Sequence, residues 1–210
     1  MDSKEMWEQR HKKSGLRFNR VTQFAKDIYY RYLKDQKGKM LDLGCGKGAD
    51  SMFFHYKGFQ VTALDFSQNA ISTFNQIQQE KGLFISALVK DFTEELIYED
   101  ESFDVVYSRI SLNYFTDEVT RGIFAEMRRV LKSEGLLIFQ VKSVSDKDYG
   151  QGTQVDDDVF EKDDVPGYKR HFFSQAYVEN LLSGDYEIVV LQELNIPNGN
   201  AYLNVIAKKK

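Results

Sequence analysis

From residue 40 to residue 194, short apolar runs alternate with segments whose apolar residues recur at helical spacing. That alternation restricts the fold more than any other feature of the chain. Met40-Leu41-Asp42-Leu43 reads as a first strand, Phe59 to Leu64 as a second and Phe84 to Val89 as a third. Phe103 to Tyr107 and Leu136 to Val141 supply the fourth and fifth. Helices are expected over Ala49 to Tyr56, from an N-cap at Ser67 to Gly82, and from a cap at Thr116 to Gly135. Strands joined through helices of this length run parallel, with helices on both faces. After a further helix from Ser174 to Leu182, two strands, Glu187 to Leu191 and Tyr202 to Ala207, are separated only by a turn containing Pro197-Asn198-Gly199. Such a pair is a hairpin, so one of its strands opposes the rest. The expectation is an α/β fold with a seven-stranded, mostly parallel sheet and an antiparallel C-terminal strand.

The 210 residues suit one domain over 1–210. Val21, Phe24, Ala25, Ile28 and Tyr32 mark an amphipathic helix over 19–36, so residues 1–36 are expected as a helical cap. The stretch 143–168 is polar, without periodicity and too long for a plain connection, which points to a functional or disordered loop. Residues 1–40 hold eleven Lys or Arg against five acids, whereas 146–164 hold eight acids against two lysines. Opposite local charges raise the expectation that the acidic segment docks on the basic one. The net charge of −4 gives no field for nucleic acid. A single cysteine, Cys45, excludes an internal disulfide, and no apolar run reaches membrane-spanning length. The amino end shows no signal-peptide pattern, so a cytoplasmic location is the default. Oligomeric state is not legible.

Gly44-Cys45-Gly46-Lys47-Gly48 sits where the first strand feeds a helix, and Asp65 follows Gly44 by 21 residues, at the end of the second strand. Glycine there lets backbone approach a ligand, and a carboxylate at that place can accept both ribose hydroxyls. An adenosine-type ligand over the carboxyl ends of the first two strands is the reading. Gly44-x-Gly46-x-x-Ala49 also fits a dinucleotide fingerprint. Three features weigh against a nicotinamide cofactor. Asp42 would repel a pyrophosphate but suits an ammonium or sulfonium, nearly forty residues precede the first strand, and the chain ends in a helix-free strand pair.

Asp42 to Gly48 resembles motif I of class I S-adenosylmethionine-dependent methyltransferases. Asp65-Phe66-Ser67 is similar to the family's acidic motif after the second strand. Lys90-Asp91-Phe92 is similar to the motif after the third, and Phe103 to Val106 to the fourth-strand motif. Leu131 to Leu137 resembles the approach to the fifth strand, and Leu203 to Lys208 the seventh strand. The resemblance covers about residues 37–142 and, more loosely, the C-terminal end. It implies a Rossmann-like fold and S-adenosylmethionine as cofactor. Asp42 then holds the methionine ammonium beside Gly44, Cys45 and Gly46, and Asp65 the ribose. Asp91 takes the adenine amino group, Phe66 and Phe92 its ring, and Ser108 and Arg109 complete the methionine end.

The layout looks most like small-molecule members, including those related to tellurite-resistance and thiopurine methyltransferases, and the family often places a substrate lid at 143–168. The amino-methylating Pro-Pro pattern is missing at Ser111-Leu112-Asn113-Tyr114. That absence, with the acidic segment, disfavours a polynucleotide acceptor. His11, His55 and His171 show no metal-ligand spacing, so no metal is expected. No catalytic base stands out, and His171 reads more naturally as a packed or solvent-facing side chain. Trp7, Phe18, Tyr29 and Tyr30 are candidates to cover the site. Two other functions fit the residues less well: a non-catalytic S-adenosylmethionine-binding regulatory module and a nicotinamide-dependent oxidoreductase.

Overall fold

The computed structural model describes residues 3–14 and 20–210. Phe18 lies outside the described residues. A seven-stranded sheet has the order β3-β2-β1-β4-β5-β10-β9. Its strands are β1 (Gly38–Leu43), β2 (Phe59–Asp65), β3 (Ser86–Val89), β4 (Phe103–Arg109), β5 (Leu131–Lys142), β9 (Tyr186–Asn195) and β10 (Ala201–Lys209). β1, β2, β3, β4 and β5 pair in parallel, while β10 lies antiparallel between β5 and β9. The expected Rossmann-like sheet with one opposed strand is therefore what forms.

The two faces carry separate cores. Leu41, Leu43, Val106 and Phe139 pack with α5 (Asp117–Val130) and α6 (Gln175–Leu182) on one side. Met40, Val61, Val105 and Tyr107 pack on the other with α2 (Gln23–Ile28), α3 (Ala49–Tyr56) and α4 (Gln68–Glu80). Alternation along each strand makes this division. β1 sends Met40 and Asp42 to one face and Leu41 and Leu43 to the other. Ser67 and Ser174 cap α4 and α6 through their hydroxyls, as expected.

Several boundaries differ from the sequence reading. The helix expected over 19–36 is α2 followed by a π-helical turn over Tyr29–Leu33. A π turn admits about one extra residue, so the buried position falls on Leu33 and leaves Tyr32 half-buried. Thr116 precedes α5 but makes no side-chain cap bond. α5 ends at Val130, five residues before Gly135, and β5 begins at once. Phe84 stands outside β3 and is 94% exposed.

The largest correction concerns 143–168, expected without regular structure. It contains β6 (Thr153–Asp156) and β7 (Val159–Glu161), which form a three-stranded antiparallel sheet with β8 (Lys169–His171). Strands of three or four residues are too short to show periodicity. The expected charge docking is also absent among the described residues. Asp146 pairs with Lys142, Asp148 with Arg170 and Asp164 with Lys162, all close in sequence or beside the segment itself. No helix among the described residues is long and apolar enough to cross a membrane.

Candidate active site

The carboxyl ends of β1, β2 and β4 converge on the glycine turn. Gly44 adopts φ 76°, and a Cβ there would stand 2.3 Å from the Ser111 Cβ. Gly48, at φ 75°, has the Phe74 ring at 2.4 Å from the same construction. Side chains are sterically barred from this turn, which holds the backbone in a left-handed path. The Gly44 and Cys45 amides donate to the Leu64 carbonyl at 2.8 and 3.0 Å, tying the turn to β2. Ser108 and Ser111 both donate to the Leu43 carbonyl, at 3.0 and 2.9 Å, tying it to β4. Cys45 is half-buried, its thiol directed at the Gly46 carbonyl.

Three acids surround the turn. Asp42 is 2% exposed and accepts from the Ser51 hydroxyl at 2.5 Å. Burial pushes its pKa up to about 7, against the Ser51 bond and with help from the charges of Asp50 and Asp65. Asp65 is 6% exposed and accepts from the Gly46 and Ser67 amides at 2.8 and 2.9 Å. Its carboxyl is also raised, by burial, with those two bonds working the other way. Asp91 accepts from the Thr93 amide and hydroxyl and pairs with Lys4 at 2.6 Å. Burial works to raise it, but these bonds together leave it lowered. Phe66 is half-buried, and Phe92 is in the core, edge-on to Phe115 at 5.7 Å. Phe92 also borders the turn, 3.6 Å from where a Gly44 Cβ would sit.

A helix within the expected helical cap, carrying the covering candidate Trp7, lies beside these groups. α1 (Ser3–Ser14) has no buried residue among Lys4–Ser14, and polar contacts with one tryptophan hold it. Lys4 reaches Asp91. The Glu8 carboxylate accepts from the Ser67 hydroxyl and from the amides of Gln68 and Asn69 at the start of α4. His11 stands 3.8 Å from the Cβ position of Gly46, and Ser14 accepts from Lys47 at 2.6 Å. Contacts at Lys4, Glu8, His11 and Ser14 fall three or four residues apart, the spacing of one helical face. That polar stripe was the available signal.

Trp7, on the same helix, extends the site past β4. It meets Tyr114 at 5.0 Å and Tyr168 at 6.5 Å, and Tyr114 meets Tyr168 at 5.7 Å. Tyr29 and Tyr30 instead pack with Phe53 and Lys57, away from this cluster. His171 is 1% exposed, 4.4 Å from the Phe173 ring and 5.0 Å from Tyr177. Burial lowers its pKa, and it belongs to the α5–α6 core.

The fold and this turn match a known family: a methyltransferase-domain model covers residues 40–135. The putative methyltransferase YqeM of Bacillus subtilis is 31% identical over 170 residues, 80% of this chain and 64% of that protein. TehB of Haemophilus influenzae, a probable S-adenosyl-L-methionine-dependent methyltransferase, is 30% identical over 90 residues, 43% of this chain and 31% of its own. The chain thus spans less than two thirds of the length of these curated relatives. In structure, the chain is similar to the 1,6-didemethyltoxoflavin-N1-methyltransferase of Burkholderia thailandensis, solved with its namesake compound and S-adenosylhomocysteine. The TM-score is 0.71 at 20% identity, covering 89% of this chain and 76% of that one. At that identity the likeness speaks for the fold.

Proposed function

We propose that the chain transfers a methyl group from S-adenosylmethionine to a small-molecule acceptor by in-line displacement. Asp42 carries the proposal. A carboxylate 2% exposed, with its pKa raised to about 7, is a poor neighbour for a pyrophosphate and a good one for an ammonium. On this reading Asp42 takes the methionine ammonium, and the backbone of Gly44, Cys45 and Gly46 lies along the amino acid. Asp65 accepts the ribose hydroxyls, and Asp91 the adenine amino group beside Phe66 and Phe92. Ser108 and Arg109 close the methionine end, where the Arg109 Nε is buried without a hydrogen-bond partner and suits the cofactor's carboxylate.

When bound, the cofactor supplies a methyl group already activated on sulfur. The chain's own task is alignment and exclusion of water, which can contribute roughly 7–11 kcal/mol. α1 supports the second role by lying beside Asp65 and Asp91. The acceptor fits beyond β4, between the Tyr114 segment and the β6–β8 sheet, which serves as the substrate lid. No side chain is assigned as general base, and burial of His171 in the core argues against it. A cytoplasmic setting belongs to the same proposal and agrees with the free Cys45 thiol.

Calorimetry with S-adenosylmethionine and S-adenosylhomocysteine tests the cofactor, with NADH as control. Binding of both adenosyl compounds and none of NADH is expected. Asp65→Ala is expected to weaken binding by about a hundredfold, through loss of charge-assisted hydrogen bonds. Absence of heat from folded protein with either adenosyl compound overturns the proposal.

A further inference from the structure

Four buried side-chain polar atoms among the described residues lack a hydrogen-bond partner: the hydroxyls of Tyr98 and Tyr186 and the Nε of Arg109 and Arg170. Tyr98 packs on Phe103, the first residue of β4, and Tyr186 begins β9, so both hydroxyls lie at the amino edge of the sheet. The two arginines lie at the other edge, where ligands bind in folds of this class. Arg109 ends β4 on the face that carries Asp42. Arg170 is in β8, beside the turn of 3₁₀ helix over Leu112–Tyr114.

The rest of the Arg170 guanidinium is engaged. One terminal nitrogen pairs with Asp148 at 3.1 Å, another donates to the Gln151 carbonyl at 3.2 Å, and the side chain is 11% exposed. These bonds fix the plane of the group, and the buried Nε N–H is free to donate. Tyr168 lies two residues before Arg170, just ahead of β8, and joins the ring cluster of Tyr114 and Trp7. Arg10 adds a second cation, 4.8 Å from the Trp7 ring. Each nearby acid has a partner: Asp148 pairs with Arg170, Asp156 accepts from the Asp117 amide and Asp158 from the Tyr149 hydroxyl.

Three rings favour a flat molecule, and the guanidiniums of Arg170 and Arg10 beside them favour an anionic group over a cationic one. We propose that the acceptor is a planar molecule bearing an anionic group, with its ring among Trp7, Tyr114 and Tyr168 and its anion on Arg170. This rests on the methyltransferase reading above and narrows its acceptor to aromatic acids and their like.

The test uses the full chain saturated with S-adenosylhomocysteine and titrated with three matched probes: naphthoate, naphthamide and naphthylmethylammonium. Naphthoate is expected to bind about tenfold more tightly than the amide, the difference one charge-assisted hydrogen bond makes. The ammonium probe is expected to show no binding. Arg170→Met should erase the preference for the acid while leaving S-adenosylhomocysteine affinity unchanged, and Arg170→Lys should restore only part of it, since lysine lacks the fixed fork. Equal or tighter binding of the amide or ammonium by the unaltered chain, or an acid preference that survives Arg170→Met, overturns the proposal. Failure of S-adenosylhomocysteine itself to bind strikes the methyltransferase reading instead.

Discussion

Residues 40–92 and residues 143–173 both finish at the carboxyl edge of the sheet, and they reach it by different means. In the first region Asp42 and Asp65 accept hydrogen bonds from groups close in sequence. Ser51 bonds Asp42 nine residues away, Gly46 bonds Asp65 nineteen away, and Ser67 bonds Asp65 two away. In the second they span the chain. Asn113 donates to the His171 carbonyl across 58 residues, Ala201 to Asp146 across 55, and Ser143 bonds Glu193 across 50. A site assembled from local loops keeps its spacing wherever its strand–turn–helix units occur. A site assembled from distant segments can change acceptor without disturbing the first.

The largest effect is expected at the turn. Gly44→Ala places a Cβ against Ser111 and demands a strained φ, so S-adenosylhomocysteine binding should fall by more than about a hundredfold. The naphthoate site needs no such turn. If acid binding, measured alone, collapses equally, the two regions are not separable.

The regions also differ in the sign of their pH dependence. The Asp42 carboxyl is raised in the folded state, so its contribution to stability is present at acid pH and lost as pH rises through about 7. Asp42→Asn should therefore raise the melting temperature by a few degrees at about pH 8 and less at about pH 5, while cofactor affinity falls. In the unaltered chain, affinity should weaken below about pH 7 as the carboxylate takes up its proton. A melting temperature that drops at pH 8 in the variant would contradict the burial argument.

His171 runs the other way. Its lowered pKa means that stability is present above the ordinary histidine range and lost as pH falls through it. His171→Phe, measured by thermal melting, should flatten that acid-side loss and leave adenosyl binding alone. The smallest effect is expected at Glu8, which is only part-buried on a surface helix. Glu8→Ala should speed release of S-adenosylhomocysteine severalfold in stopped flow, with little change in melting. Unchanged release would show that α1 contributes nothing to retention.

Much of the first region was legible before any coordinates. Asp42 runs into the turn of Gly44 and Gly46, Asp65 bonds Gly46, and Asp91 follows the next strand, because a parallel strand carries its loop to a fixed edge. What those groups touch was not legible. Lys4 on Asp91 and Glu8 on α4 link residues about sixty or more apart through a helix with no apolar face to announce it. The β6–β8 sheet was read as loop because its strands are short and its acids dominate the composition. His171 was read as packed or solvent-facing, and packing is where it lies.

The sequence by itself determined the sheet order's logic, the opposed last strand and the identity of the turn, since each follows from periodicity, glycine sterics and strand-to-helix spacing. Only the tertiary structure decided that α1 lies beside the turn, that Trp7, Tyr114 and Tyr168 share one cluster, and that an arginine N–H is left buried beside them. Those features depend on which distant surfaces exclude water together, and no local pattern in the chain encodes that.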